Sequence, residues 1–152
     1  MATLYSDQRT NDVASPPVRG EFALNGSSVR VMYATYTMLG TETALDVIQM
    51  VSIPKGARVW REYSNLKHTA CASTVTLDVG DGGDADRYID GLDASGASGT
   101  TLDTFEGKVG VAVNYTPYEY TTADTIDVTL ATLTTPNATG VIQLTVLYTM
   151  NG

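Results

Sequence analysis

The sequence predicts an all-β fold: a single β-sandwich or jelly-roll-like domain over residues 27–152, preceded by an extended N-terminal arm over residues 1–26. Three observations predict it. From Ser27 onward, the side chains alternate with period two, which places every second residue on one face of a strand. The alternating runs are rich in Thr, Val and Tyr, and turn signals separate them, giving roughly eight strands. No stretch carries the apolar helical period that a crossover helix needs, which argues against α/β folds. At 152 residues, the chain can bury a core without disulfides or metal.

The arm comes first. Residues 1–26 are mostly polar and turn-forming, Pro16-Pro17 holds the path extended, and Asn25-Gly26 closes the segment. Its apolar residues (Leu4, Tyr5, Val13, Val18, Phe22 and Leu24) are scattered and cannot form a core of their own. They suit pockets on a neighbouring subunit. The first strand follows, with Val29, Val31, Tyr33 and Thr35 on one face and Arg30, Met32, Ala34 and Tyr36 on the other. Apolar residues on both faces predict a core on one side and a partner on the other.

A second strand is expected over Asp46–Ile53, ended by the turn Pro54-Lys55-Gly56. A third spans Ala57–Lys67 with Trp60 as a core or interface anchor, and a fourth spans Thr74–Val79. Asp, Gly and Ser then dominate, and a long acidic loop is expected over about residues 80–101, with a short helical turn around Ala85–Ile89. Strands resume at Lys108–Tyr115, Tyr118–Tyr120, Thr125–Leu133 and Val141–Met150.

The formal charge of −8 is concentrated in one segment: residues 78–106 hold eight acids against one base, Arg87. Such a surface repels phosphate backbones, so nucleic acid is not an expected partner. Nor is a membrane, since no run approaches the length of an apolar span. The opening MATLYSDQRTND lacks a basic region followed by an apolar one, so no secretory signal is expected. The single cysteine, Cys71, fits folding in a reducing cytoplasm. Three Asn-x-Ser/Thr triplets then count as chance in a Thr-rich chain.

Chemistry is poorly supplied, and no enzymatic activity is expected. The one histidine, His68, lies three residues from Cys71, a separation that puts them on opposite faces of a strand. Two residues are also too few for zinc. Asp81, Asp84 and Asp86, among glycines, are oxygen donors of the kind Ca²⁺ takes, yet the EF-hand spacing is absent. The expectation is therefore a solvated acidic loop and no cofactor, with Ca²⁺ as the alternative. Arg87 is expected to pair with Asp84, Asp90 or a neighbouring subunit, and the clustered Tyr118 and Tyr120 suit an interface.

Three stretches together resemble a known group. Arg30-Val31-x-Tyr33-x-Thr35-Tyr36 is followed by Asp46-Val47-Ile48, then by Ile53-Pro54-Lys55-Gly56-Ala57-Arg58-Val59, and later by Gly80-Asp81-x-x-Asp84-Ala85-Asp86-Arg87-Tyr88. The pattern spans residues 27–93 and resembles head decoration, or cement, proteins of tailed bacteriophages. The resemblance implies a β-rich structural protein of the virion, a homo-oligomer and most simply a trimer. Its implied partner is the major capsid protein, on the outside of the head. The alternative reading is a fibre or tail-tip module binding carbohydrate or a receptor through its tyrosines and acidic loop. A hydrolase is the third.

Overall fold

The computed structural model describes residues 28–96, 101–104 and 117–150. Among the described residues, ten strands and one 3₁₀ turn follow in chain order: β1 (Val29–Thr37), β2 (Val47–Ile53), β3 (Ala57–Val59), η1 (Arg61–Tyr63), β4 (Asn65–His68), β5 (Ala72–Asp81), β6 (Asp84–Asp93), β7 (Thr101–Thr104), β8 (Tyr118–Glu119), β9 (Asp124–Pro136) and β10 (Val141–Met150). They form two antiparallel sheets. The first runs β7-β4-β10-β3-β8, with β1 along the other side of β10; the second runs β2-β9-β5-β6. The chain alternates between the sheets, so each excursion adds a strand or hairpin to one layer and then crosses to the other.

The predicted β-sandwich is what period two builds. In β10, Ile142, Leu144, Val146 and Tyr148 are buried, and so are Ile126, Val128 and Leu130 in β9 and Val75, Leu77 and Val79 in β5. These inner faces meet with Val59 and Leu66 to form one core. The Pro54-Lys55-Gly56 turn is confirmed: Gly56 sits at φ +82°, where a side chain would be strained, and Ala57 N donates to Pro54 O at 3.1 Å.

Two expectations need correction. The third strand is not continuous over Ala57–Lys67, because the chain leaves the sheet at Trp60, makes η1 and rejoins as β4. Both β3 and β4 pair with β10, but the alternation changes phase across the break: Ala57 and Val59 are buried in β3, Leu66 and His68 in β4. Ser64 repairs the gap: its hydroxyl donates to Trp60 O and accepts from Leu147 N.

The second correction is larger. The acidic loop expected over about 80–101, with its helical turn, is instead a hairpin of two ten-residue strands, β5 and β6, closed by Gly82-Gly83 between the paired Asp81 and Asp84. Two glycines between paired residues are a hairpin turn. Register shifts in β5–β6 put Tyr88 and Ile89, adjacent in sequence, both into buried positions, and this conceals the alternation. Gly80 is required because the chain folds back tightly there: a Cβ would lie 2.1 Å from Asp84 O. The arm, residues 1–26, and the expected strand at 108–115 lie outside the described residues.

Candidate interaction surface

The sandwich has two outer faces of opposite character. On the sheet of β5 and β9, the outward residues are Thr74, Thr76, Asp78, Thr125, Asp127 and Thr129, half-buried or exposed and polar. Thr76 and Thr132 bond across the strands at 2.9 Å. On the sheet of β1 and β10, the outward residues include an apolar patch, Val29, Val31, Tyr33 and Leu147, bordered by Thr35, Gln143 and Thr145. Val29, Val31 and Tyr33 are 61%, 59% and 62% exposed, while Met32, Ala34 and Tyr36 turn inward against the core. Antiparallel register sets Val31 beside Leu147 and Val29 beside Thr149. Trp60, the only tryptophan, extends the same face by donating Nε1–H to Thr149 Oγ1 at 3.2 Å. Apolar side chains grouped and exposed on one face of a fold make that face a candidate contact surface. Covering the exposed parts of these three residues would release about 3–5 kcal/mol.

Arg87, Tyr118 and Tyr120, expected at an interface, instead work inside the subunit. Tyr120 is buried and donates its hydroxyl to Asp81 Oδ2 at 3.0 Å. Its proton being so used, the 2.7 Å contact to Tyr88 must be a donation from Tyr88. Burial, the largest cause, pushes both phenols far above the ordinary tyrosine range, and the neighbouring Asp81 charge adds to it. Arg87 donates from Nε to Asp81 Oδ2 and from a terminal nitrogen to Oδ1 at 3.1 Å. Its guanidinium lies 3.9 Å from the centre of the Tyr118 ring, which packs edge-on against Tyr120 at 5.0 Å. The expected partner Asp84 is secondary, at 4.0 Å, and the dominant ion pair is to Asp81. The network ties the tip of the β5–β6 hairpin to β8 of the opposite sheet.

This arrangement also decides what Asp81 can do. Its two oxygens accept from the guanidinium, from the backbone N–H of Gly83 and Asp84 at 3.0 Å each, and from Tyr120. That leaves no free lone pair directed at a cation. Among the described residues, no three of His, Cys, Asp and Glu gather into a set able to hold a metal ion, so the suggested Asp81, Asp84 and Asp86 site is not assembled. Asp78 and Asp93, too, are spent on backbone N–H groups, at Gly91 and Ser95.

His68 and Cys71 both turn to one carbonyl, Thr69 O, at 3.2 Å from Nδ1 and 3.1 Å from Sγ. Burial, with a smaller contribution from Glu42, pushes the thiol up to about 11, so the thiolate a nucleophile needs is scarce at neutral pH. A shallow, open and mostly apolar depression is lined by Met32, Ser52, Ile53, Pro54, Ala123 and Asp124. Asp124 alone among these brings a titratable group. The contact residues expected in the arm (Leu4, Tyr5, Val13, Val18 and Phe22) lie outside the described residues. Sequence reasoning did single out the two-faced strand β1, whose outer row Val29, Val31 and Tyr33 is exposed in the subunit.

No family model and no curated protein matches the sequence. Solved structures do match in fold. A chain of the cyanophage Pam1 capsid asymmetric unit superposes with a TM-score of 0.64 at 23% identity, covering 98% of this chain and 94% of that one. A chain of the Ralstonia phage GP4 capsid gives 0.60 at 17% identity, covering 84% and 88%. One from the acid-stable capsid of Helicobacter pylori bacteriophage KHP30 gives 0.54 at 15% identity, covering 83% and 90%. The fold is shared with chains of phage capsids. In each case the likeness takes in most of both chains.

Proposed function

We propose that this chain is a structural protein of a bacteriophage head, and that it decorates and stabilises the outside of the capsid lattice as a homo-oligomer, most simply a trimer. The observation that carries the reading is the fold shared, nearly end to end, with a chain from a phage capsid. The apolar outer face of β1 and β10 supports it by supplying a surface for a neighbour. In this reading, Leu4, Tyr5 and Val13 of the arm fill pockets on adjacent capsid subunits, while Val31, Tyr33 and Leu147 meet a second copy or the major capsid protein. Each contact is modest, but repetition across the lattice makes the attachment strong. A stable interface of this kind buries on the order of 1,000 Å² or more. The protein acts by binding and performs no catalysis.

Copy number and a surface variant test this together. Gel densitometry of purified particles should find hundreds of copies per virion, and a handful would favour a fibre or tail-tip module instead. Val31→Glu with Tyr33→Glu should leave a folded protein that no longer binds particles, since both side chains are solvent-exposed in the free subunit. Undiminished binding by that variant would remove this face from the interface. His68→Ala and Cys71→Ala should bind as the parent does.

A further inference from the structure

The hydrogen-bonding direction along β1 leads to a specific occupant for its open edge. β10 directs alternate backbone groups to opposite sides. Leu147 N donates to Ser64 Oγ and Leu147 O accepts from Trp60 N, so both face away from β1. Val146 and Tyr148 therefore serve β1, where their partners are Met32 and Arg30. It follows that Val29, Val31 and Tyr33 direct their N–H and C=O groups to the other side, and among the described residues no strand pairs there. An edge of nine residues with apolar side chains is a template for another strand.

We propose that the occupant is Val18–Leu24 of the same chain, folded back through Asn25-Gly26 as a hairpin that adds a strand to β1. Three features of the sequence fit this edge. Asn-Gly is the preferred two-residue hairpin turn, and such a turn makes residues 24 and 27, 22 and 29, 20 and 31, and 18 and 33 the hydrogen-bonded pairs. Those are the positions at which β1 has backbone groups without a strand partner among the described residues, although the turn and the β10 ladder set their parities independently. Side chains opposite one another then match. Phe22 falls beside Val29 and Val18 beside Tyr33 on the apolar outer face, and Glu21 falls opposite Arg30. The ladder also has a built-in stop. Pro16 would have to donate an N–H to Thr35, and proline has none.

The consequence is a division of labour within the arm. Val18 and Phe22 complete their own sheet and protect its edge, leaving residues 1–17, beyond the Pro16-Pro17 break, to reach a neighbour. This claim concerns the isolated protein, so it can fail while the capsid reading stands, and the reverse.

Paired cysteines test it. Glu21→Cys with Arg30→Cys, in a Cys71→Ala background, places the thiols at a non-hydrogen-bonded pair, where Cα atoms lie about 4.5 Å apart, within disulfide reach. Mild oxidation should give an intramolecular disulfide, with a yield independent of protein concentration. Glu21→Cys with Val31→Cys, on opposite faces, should not close. Absence of the first cross-link would overturn the proposal, and so would covalent dimers or larger species, which would mean that the strand is donated by another copy. Hydrogen exchange supplies a readout free of cysteines. Deleting residues 1–24 should speed exchange at Val29, Val31 and Tyr33 at least tenfold and leave Arg30, Met32 and Ala34, which face β10, unchanged. Equal rates at the first three amides in both proteins would likewise sink the hairpin.

Discussion

The carboxylate of Asp81 organises the tip of the β5–β6 hairpin, and Asp81→Ala measures how much. The side chain is 2% exposed and accepts from two guanidinium nitrogens, two turn amides and one phenol. Removing it strands Arg87, whose side chain is 16% exposed, beside the Tyr118 ring with only Asp84 at 4.0 Å as counter-charge. Breaking one side of a buried pair costs about 3–5 kcal/mol. The lower end applies because Arg87 keeps some solvent, the aromatic face and the distant carboxylate, so about 3 kcal/mol is expected. For a chain of this length that lowers Tm by about 6–12 °C.

Urea unfolding at fixed protein concentration, followed by Trp60 fluorescence, gives the free energy. The pairing itself is isolated by a cycle. Arg87→Met alone and Asp81→Ala alone should each be costly, and the double variant should recover about 2 kcal/mol of their sum. A loss below about 1 kcal/mol for Asp81→Ala, with unchanged denaturant slope, would refute the reasoning, as would strict additivity in the cycle.

Three more outcomes follow from single residues. Burial raises the Glu42 carboxyl, but hydrogen bonds from the backbone N–H of Leu39 and Gly40 and from the Tyr36 hydroxyl outweigh it and hold it below the ordinary range. Its stabilisation is therefore present above the ordinary glutamate value of about 4.3 and lost as pH falls through the lower folded value; Glu42→Gln should cost about 1 kcal/mol at neutral pH, after discounting for solvent screening, and should flatten the acid limb of a Tm-versus-pH curve. Asp127 has the opposite sign, since burial raises it, and Oδ1 is buried without a partner among the described residues. Its penalty is present above the raised value and fades as pH falls to about 3.9, so Asp127→Asn should match or exceed the parent Tm at pH 7 in calorimetry. Gly80→Ala would drive a Cβ to 2.1 Å from Asp84 O and 2.3 Å from the Ala85 carbonyl carbon, so it should cost about 3 kcal/mol or more by urea unfolding.

How much of this was legible depended on whether the governing contact was local. Strand β10 announces itself because its alternation carries a buried row along its length, and β1, β2 and β9 each keep an alternating stretch long enough to read, despite the irregularity at Gln49–Val51 in β2. The break at Trp60–Ser64 shows in sequence only as a change of phase, Val59 and Leu66 both being buried although an unbroken strand would set them on opposite faces, and the contact that closes it comes from Leu147, far along the chain. The acidic hairpin was hidden by its own composition. Eight acids in the segment suggested a solvated loop, yet Asp81-Gly82-Gly83-Asp84 is a tight turn, and it brings Arg87 back beside Asp81. The burial of Tyr120 depends on Asp81 and Tyr88 in the other sheet, which no local pattern could reveal.

The contrast between the two outer faces bears on which of them meets a partner. The threonines along β5 and β9 bond one another or face solvent, and Asp127 already holds a buried oxygen without a partner among the described residues, so that face has little to gain by further desolvation. The β1 face is different in kind. Val29, Val31 and Tyr33 contribute little to the core, because Met32, Ala34 and Tyr36 already supply the inward row. Polar residues would serve a free-standing strand equally well at those outward positions. Strand propensity and the Val31–Leu147 pair account for part of the preference for apolar residues there, and a covering surface would give these side chains a further favourable role. The charge distribution agrees with this orientation. The acidic β5–β6 hairpin belongs to the sheet opposite β1, so a subunit bound through the β1 face turns its polar, Thr- and Asp-rich layer to solvent. Raising the salt concentration should then leave binding to particles nearly unchanged, because the contact is apolar and most of the net charge lies away from it. Binding that collapses between low and high salt would place the acidic hairpin in the interface and reverse the orientation.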